Sequence, residues 1–115
     1  MARYLLLLHE NPAVFADLSP ADFEAIVREY TAWSADLRAK GRLVQGEKLK
    51  DEGGRRVKRE GPRLLVSDGP FAEAKDVIGG LFVVEAASYD EAVRLAEGCP
   101  HLRYGEIEVR EIDET

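Results

Sequence analysis

Few side chains in this sequence are suited to move a proton or hold a ligand near neutral pH, and they are scattered along it. Asp68, in the turn Asp68-Gly69-Pro70, is a candidate general base or ligand anchor, because a turn can fix a carboxylate toward one direction of approach. The same aspartate can instead hydrogen-bond its own backbone and form the bend, and turn chemistry alone favours that role. His9 ends an apolar run next to Glu10, and its imidazole is suited to proton transfer near neutral pH. A lone histidine at a strand end is more often a hydrogen-bonded structural residue. Asp68 and His9 are nonetheless the two catalytic candidates. His101, in the loop Pro100-His101-Leu102, ranks below them.

Three further residues are candidates for substrate contact. Lys75 offers a cation to an acidic substrate, although Glu73 and Asp76 beside it suggest a solvated segment. Tyr30, with Trp33, can line a pocket between helix and sheet, although aromatics at helical spacing are core residues first. Glu47, beside Gly46, can face the cavity of a dimer. No two histidines have metal-pair spacing, Cys99 stands alone, and Gly79-Gly80 is too short for a phosphate loop. Only a convergence of His9, Asp68 and Glu47 in space would make a metal site, so neither metal nor cofactor is expected.

These residues are positioned by a readable series of elements. The apolar run at 4–8 is a strand buried on both faces. Ser19 caps a helix over 19–40, with Pro20 at its first position and Asp22 in its first turn. Phe23, Ile26, Val27, Tyr30, Trp33 and Leu37 form its apolar stripe, and Gly41 takes the left-handed position beyond its end. Residues 43–49 form a strand interrupted by Gly46. Residues 55–59 and 63–67 form a small hairpin, and 80–85 form another buried strand. Ser88 and Glu91 read as a capping box opening a short helix, with Tyr89, Ala92, Val93 and Ala96 as its stripe and Gly98 at its end. Residues 105–110 alternate as a half-exposed strand. The order is an α+β, ferredoxin-like βαββαβ pattern with an inserted β-hairpin, in a single domain spanning 1–115.

That pattern has a consequence for assembly. Both helices cover one face of the sheet, yet 5–8 and 81–84 are apolar on both faces. A monomer would leave a patch of several hundred Å² in water, larger than soluble monomers usually tolerate. A second copy packed sheet to sheet covers it, giving a homodimer that forms a dimeric α+β barrel. The rival cover is the inserted hairpin folding back, which its charged composition disfavours.

The 115 residues include 22 acidic and 16 basic side chains, a formal net charge of −6. That balance argues against the clustered basic face of a nucleic-acid binder. The one basic cluster, Arg55, Arg56, Lys58, Arg59 and Arg63, reads as a solvated hairpin whose charges discourage edge pairing. No segment is long and apolar enough to suggest a membrane span, and the run at 4–8 is too short for a signal peptide. Cytoplasmic location is the default expectation.

The run from Val66 through Asp68-Gly69-Pro70-Phe71 to Asp76 resembles the DGPF-type branch of the YCII-related family. Ile78-Gly79-Gly80, Asp90-Glu91-Ala92, the stretch 105–110, the opening 3–7 and the region 41–49 are also similar to that family, so the likeness covers nearly the whole chain. The resemblance implies a ferredoxin-like fold and dimeric α+β barrels. It also implies small-molecule chemistry in some relatives, one being a dehydrochlorinase of chlorinated aromatic breakdown, and genes beside extracytoplasmic-function sigma factors for others. Some members carry a His–Asp pair with the histidine on the first helix. This sequence has no histidine there, and Tyr30 lies about where it would fall, so that pair is not transferred. The expected function is binding of a small polar or aromatic metabolite in a dimer-associated cavity, with acid–base catalysis available. The alternative is a non-enzymatic ligand- or partner-binding module.

Overall fold

The computed structural model describes residues 1–50, 52–68 and 76–114. Its elements run β1 (Ala2–Glu10), α1 (Pro20–Ala39), β2 (Leu43–Lys48), β3 (Arg55–Glu60), β4 (Arg63–Asp68), β5 (Val77–Ala86), α2 (Tyr89–Glu97) and β6 (Gly105–Glu111). The main sheet has the order β2-β5-β1-β6 with every neighbour antiparallel, and β3–β4 form a separate two-stranded sheet. This is the ferredoxin-like α+β arrangement with its insertion between the halves. The two central strands outrun their apolar centres because the ladder continues from Ala2↔Ala86 to Glu10↔Val77. Short 3-10 turns, Pro12–Phe15 and Pro100–Arg103, occupy what the sequence reads as plain loops.

Local chemistry sets both ends of α1. Ser19 Oγ accepts from the Asp22 amide at 3.1 Å and the Asp22 carboxylate accepts from the Ser19 amide at 3.4 Å, a reciprocal cap. Gly41 has φ +72°, and the Arg42 amide returns to the Leu37 carbonyl at 2.9 Å. At α2 only half of the expected box forms. Ser88 Oγ accepts from the Glu91 amide at 3.2 Å, but the Glu91 carboxylate accepts from the Ala87 amide and the Arg42 guanidinium. The Arg42 cation diverts that carboxylate, and the diversion ties α2 to the start of β2.

Tyr4, Leu6, Leu37, Val84, Ala86, Ala92 and Ala96 form the core between the helices and one sheet face. The stripes expected on the helices close only in part. On α2, Ala92 and Ala96 are buried while Tyr89 and Val93 are exposed. Tyr89 instead stacks edge-on against Tyr4 at 5.0 Å and accepts the Glu111 amide at 2.7 Å. On α1, Ile26 and Leu37 are buried but Phe23 and Val27 are exposed. That gap in packing creates the site described below.

Alternation along β1 puts Tyr4, Leu6 and Leu8 under the helices and Leu5, Leu7 and His9 on the opposite face. There Leu5 pairs with Val83 and Leu7 with Leu81, all half-buried. The hairpin does not shield this face: every β3 residue is exposed, and in β4 only Leu65 is partly buried. Val57, Leu64 and Val66 on it are 65%, 56% and 59% exposed.

Candidate functional site

A cleft of about 290 Å³ opens between α1 and the sheet. Phe23, Val27 and Tyr30 line its helix side, and Leu8, Leu43 and Phe82 its sheet side. Two glycines let the sheet side pack closely. A Cβ at Gly46 would lie 2.6 Å from the Phe82 ring, and one at Gly80 2.9 Å from the Glu47 carbonyl oxygen. Neither position admits a side chain without displacing a neighbour: Gly46 makes room for the Phe82 ring, and Gly80 for the close approach of the β2 backbone. The glycine that weakens β2 in the sequence pattern is what lets the Phe82 ring form the sheet wall of the cleft. Trp33 supports Phe82 edge-on at 4.9 Å.

Polar groups converge at the Glu10 end of this cleft. The Tyr30 hydroxyl and His101 Nδ1 lie 2.8 Å apart, and His101 Nε2 lies 2.9 Å from the His9 carbonyl oxygen. A carbonyl only accepts, so Nε2 carries the hydrogen. Burial, the largest influence on His101, pushes its pKa down and keeps the ring neutral. A neutral ring has one N–H, so Nδ1 accepts and Tyr30 donates. Gly105 makes room for this arrangement, because a Cβ there would collide with the His9 carbonyl oxygen and reach within 3.0 Å of His101 Nε2. Burial also raises the Tyr30 pKa well above the ordinary tyrosine value, so the phenol stays protonated.

The His9 ring lies on the other face of the sheet. Its Nε2 is 2.8 Å from Glu108 Oε1, and its Nδ1 is 3.0 Å from Asp76 Oδ1. Carboxylates accept, so both nitrogens donate and the imidazolium is favoured. The Glu108 hydrogen bond raises the pKa most, burial opposes it, and Asp76 adds to the rise. Asp68, at the base of the hairpin, pairs with Arg55 at 3.0 Å across the β3–β4 ladder. The structure thus gives His9 the carboxylates Glu108 and Asp76 as partners and gives Asp68 the cation Arg55. Tyr30 and Glu47 line the cleft, whereas His9 and Asp68 do not. Lys75 lies outside the described residues, as do Gly69 and Pro70 of the turn. Among the described residues no cluster of three His, Cys, Asp or Glu side chains could hold a metal, so His9, Asp68 and Glu47 do not converge as such a set.

His101, which the sequence reading places below His9 and Asp68, is the residue that links the cleft to the end of β1. It is 1% exposed, and its partners stand 71 and 92 residues away. Neither separation leaves a local pattern, and only its following the apolar Cys99-Pro100 pair hints at burial.

Comparison with known proteins fits this architecture. The YCII-related domain model matches residues 2–115. Uncharacterized protein R00369 of Rhizobium meliloti (strain 1021) is 27% identical over 94 residues, covering 81% of this chain and 76% of that protein. Among solved structures, 5-chloro-2-hydroxyhydroquinone dehydrochlorinase (TftG) from Burkholderia phenoliruptrix AC1100, in complex with 2,5-dihydroxybenzoquinone, shares the fold. Its TM-score is 0.51 at 17% identity, over 98% of this chain and 95% of that one. With a family match over nearly its full length, and a fold and residue pattern that agree, the chain belongs to the YCII-related domain family.

Proposed function

We propose that this protein binds a small, oxygenated aromatic molecule in the cleft between α1 and the sheet. The observation that carries the reading is the cleft itself: an apolar, aromatic-walled hollow with a few polar groups at its margins, which is how ligand sites are generally built. A volume of about 290 Å³ suits a single substituted ring rather than a larger cofactor. The ligand class is consistent with the quinone-type molecule bound by the dehydrochlorinase of the same fold. His9 and Asp68 remain proton-transfer candidates on other surfaces, so binding is the primary reading and acid–base catalysis is secondary to it.

Hydroquinone is the probe, followed by ligand-observed NMR and calorimetry. Val27→Trp, at an exposed wall position, fills the cleft without disturbing the core. Binding to the parent protein and its loss in Val27→Trp is the expected result; equal binding to both would refute the cleft as the site.

A homodimer completes this reading. Leu5, Leu7, Leu81 and Val83 form an apolar sheet face that the hairpin leaves uncovered, and a second copy supplies a matching surface. A partner-binding role through the basic, exposed hairpin around Arg56 is the alternative, tested by whether Arg56→Glu changes any measured association. The single buried Cys99 thiol fits a reducing compartment such as the cytoplasm.

A further inference from the structure

The geometry points to Tyr30 as the specificity-determining hydrogen-bond acceptor of the cleft, selecting ligands that present a neutral aromatic hydroxyl. This deepens the cleft-binding reading and rests on it. The direction of every hydrogen bond in the chain follows from its last member. The His9 carbonyl oxygen can only accept, so His101 donates from Nε2 at 2.9 Å. His101 is 1% exposed, and its two ring nitrogens face that carbonyl and the Tyr30 hydroxyl. Its Nδ1 therefore takes the Tyr30 hydrogen at 2.8 Å. With that hydrogen directed into the protein, Tyr30 has only lone pairs left for the cleft it lines.

Glu10, whose carboxylate lies over Gly79, lines the same end. An O–H donor on the ligand is matched to the Tyr30 lone pairs, whereas a purely accepting group is not. Arg38 lines the cleft eight residues further along α1, about 12 Å away along the helix axis. The helix side thus runs from an acceptor to a cation, and a phenol at the Tyr30 end can direct an electron-rich substituent toward Arg38. A main-chain carbonyl at the end of β1 sets this polarity through a buried histidine, so Tyr30 cannot easily reverse its role.

Three probes of similar shape test the inference: hydroquinone, 4-methoxyphenol and 1,4-dimethoxybenzene, titrated into the full chain and followed by amide and methyl NMR shifts. The first two carry a hydroxyl donor and the third carries none. Hydroquinone and 4-methoxyphenol are expected to bind about fivefold more tightly than the diether, the scale of one net hydrogen bond. In Tyr30→Phe that preference should fall to about onefold while the diether still binds. Equal affinity of all three probes for the parent protein, with shifts at Ile26, Val27 and Leu43, would overturn the acceptor role and leave the cleft reading standing. Absence of binding by all three would overturn both. Because Tyr30→Phe removes the partner of a buried nitrogen and can unfold the chain, a second measurement uses the unmodified protein. Long-range ¹⁵N–¹H spectra of His101 should show the neutral tautomer protonated at Nε2; protonation at Nδ1 would reverse the chain and refute the proposal.

Discussion

The two histidines respond to pH in opposite directions. His9, bridged by Glu108 and Asp76, has a folded-state pKa above the ordinary value of about 6.5. Its contribution to stability is fully present below that value and is lost as pH rises through the folded pKa. His101 has a folded-state pKa below about 6.5, so its unfolded form takes up the proton first, and stability is lost as pH falls from that value through the folded pKa. The pair should therefore place a local stability maximum near pH ~6.5. In denaturant titrations across pH, His9→Gln should flatten the alkaline limb and His101→Gln the acid limb. An alkaline limb unchanged in His9→Gln would contradict the carboxylate bridge. Gly105→Ala tests the same region sterically. By crowding the His9 carbonyl and leaving buried His101 short of its acceptor, it should destabilise the fold by about 1–3 kcal/mol.

Elements with their own local chemistry are the ones legible in the sequence. The Ser19-Pro20 start and Gly41 stop of α1, the hairpin and the alternating β6 stand as read, because caps, turns and period-two patterns act over a few residues. Ser19→Ala should cost about 1 kcal/mol of stability by denaturant titration. Exposed Val57→Ser on the hairpin should change it by less than about 0.5 kcal/mol. The diverted Glu91 carboxylate and the unclosed α1 stripe were not legible. Each depends on groups distant in sequence: Arg42 for the former, and the β2 and β5 residues that line the cleft opposite α1 for the latter. The site follows the same division. Tyr30 and Glu47 could be suspected from their elements, but His101 gains its place only when the end of β1 approaches the turn after α2.

At the scale of the whole molecule, the sheet has one face closed by helices and one face of half-buried leucines and valines. If a second copy covers the latter, Leu7→Glu should convert a dimer to a monomer in sedimentation experiments while leaving the helix-side core intact. A parent protein already monomeric at high concentration would remove that assembly without touching the cleft. The two faces also divide the candidate ligand surfaces: the cleft lies under α1, and the His9 ring lies opposite. Methyl-resolved NMR with added hydroquinone separates them in one titration. Shifts centred on Ile26, Val27 and Leu43 are the predicted result. Shifts centred on Leu5, Leu7, Leu81 and Val83, or none at saturating probe, would contradict the cleft as the functional site.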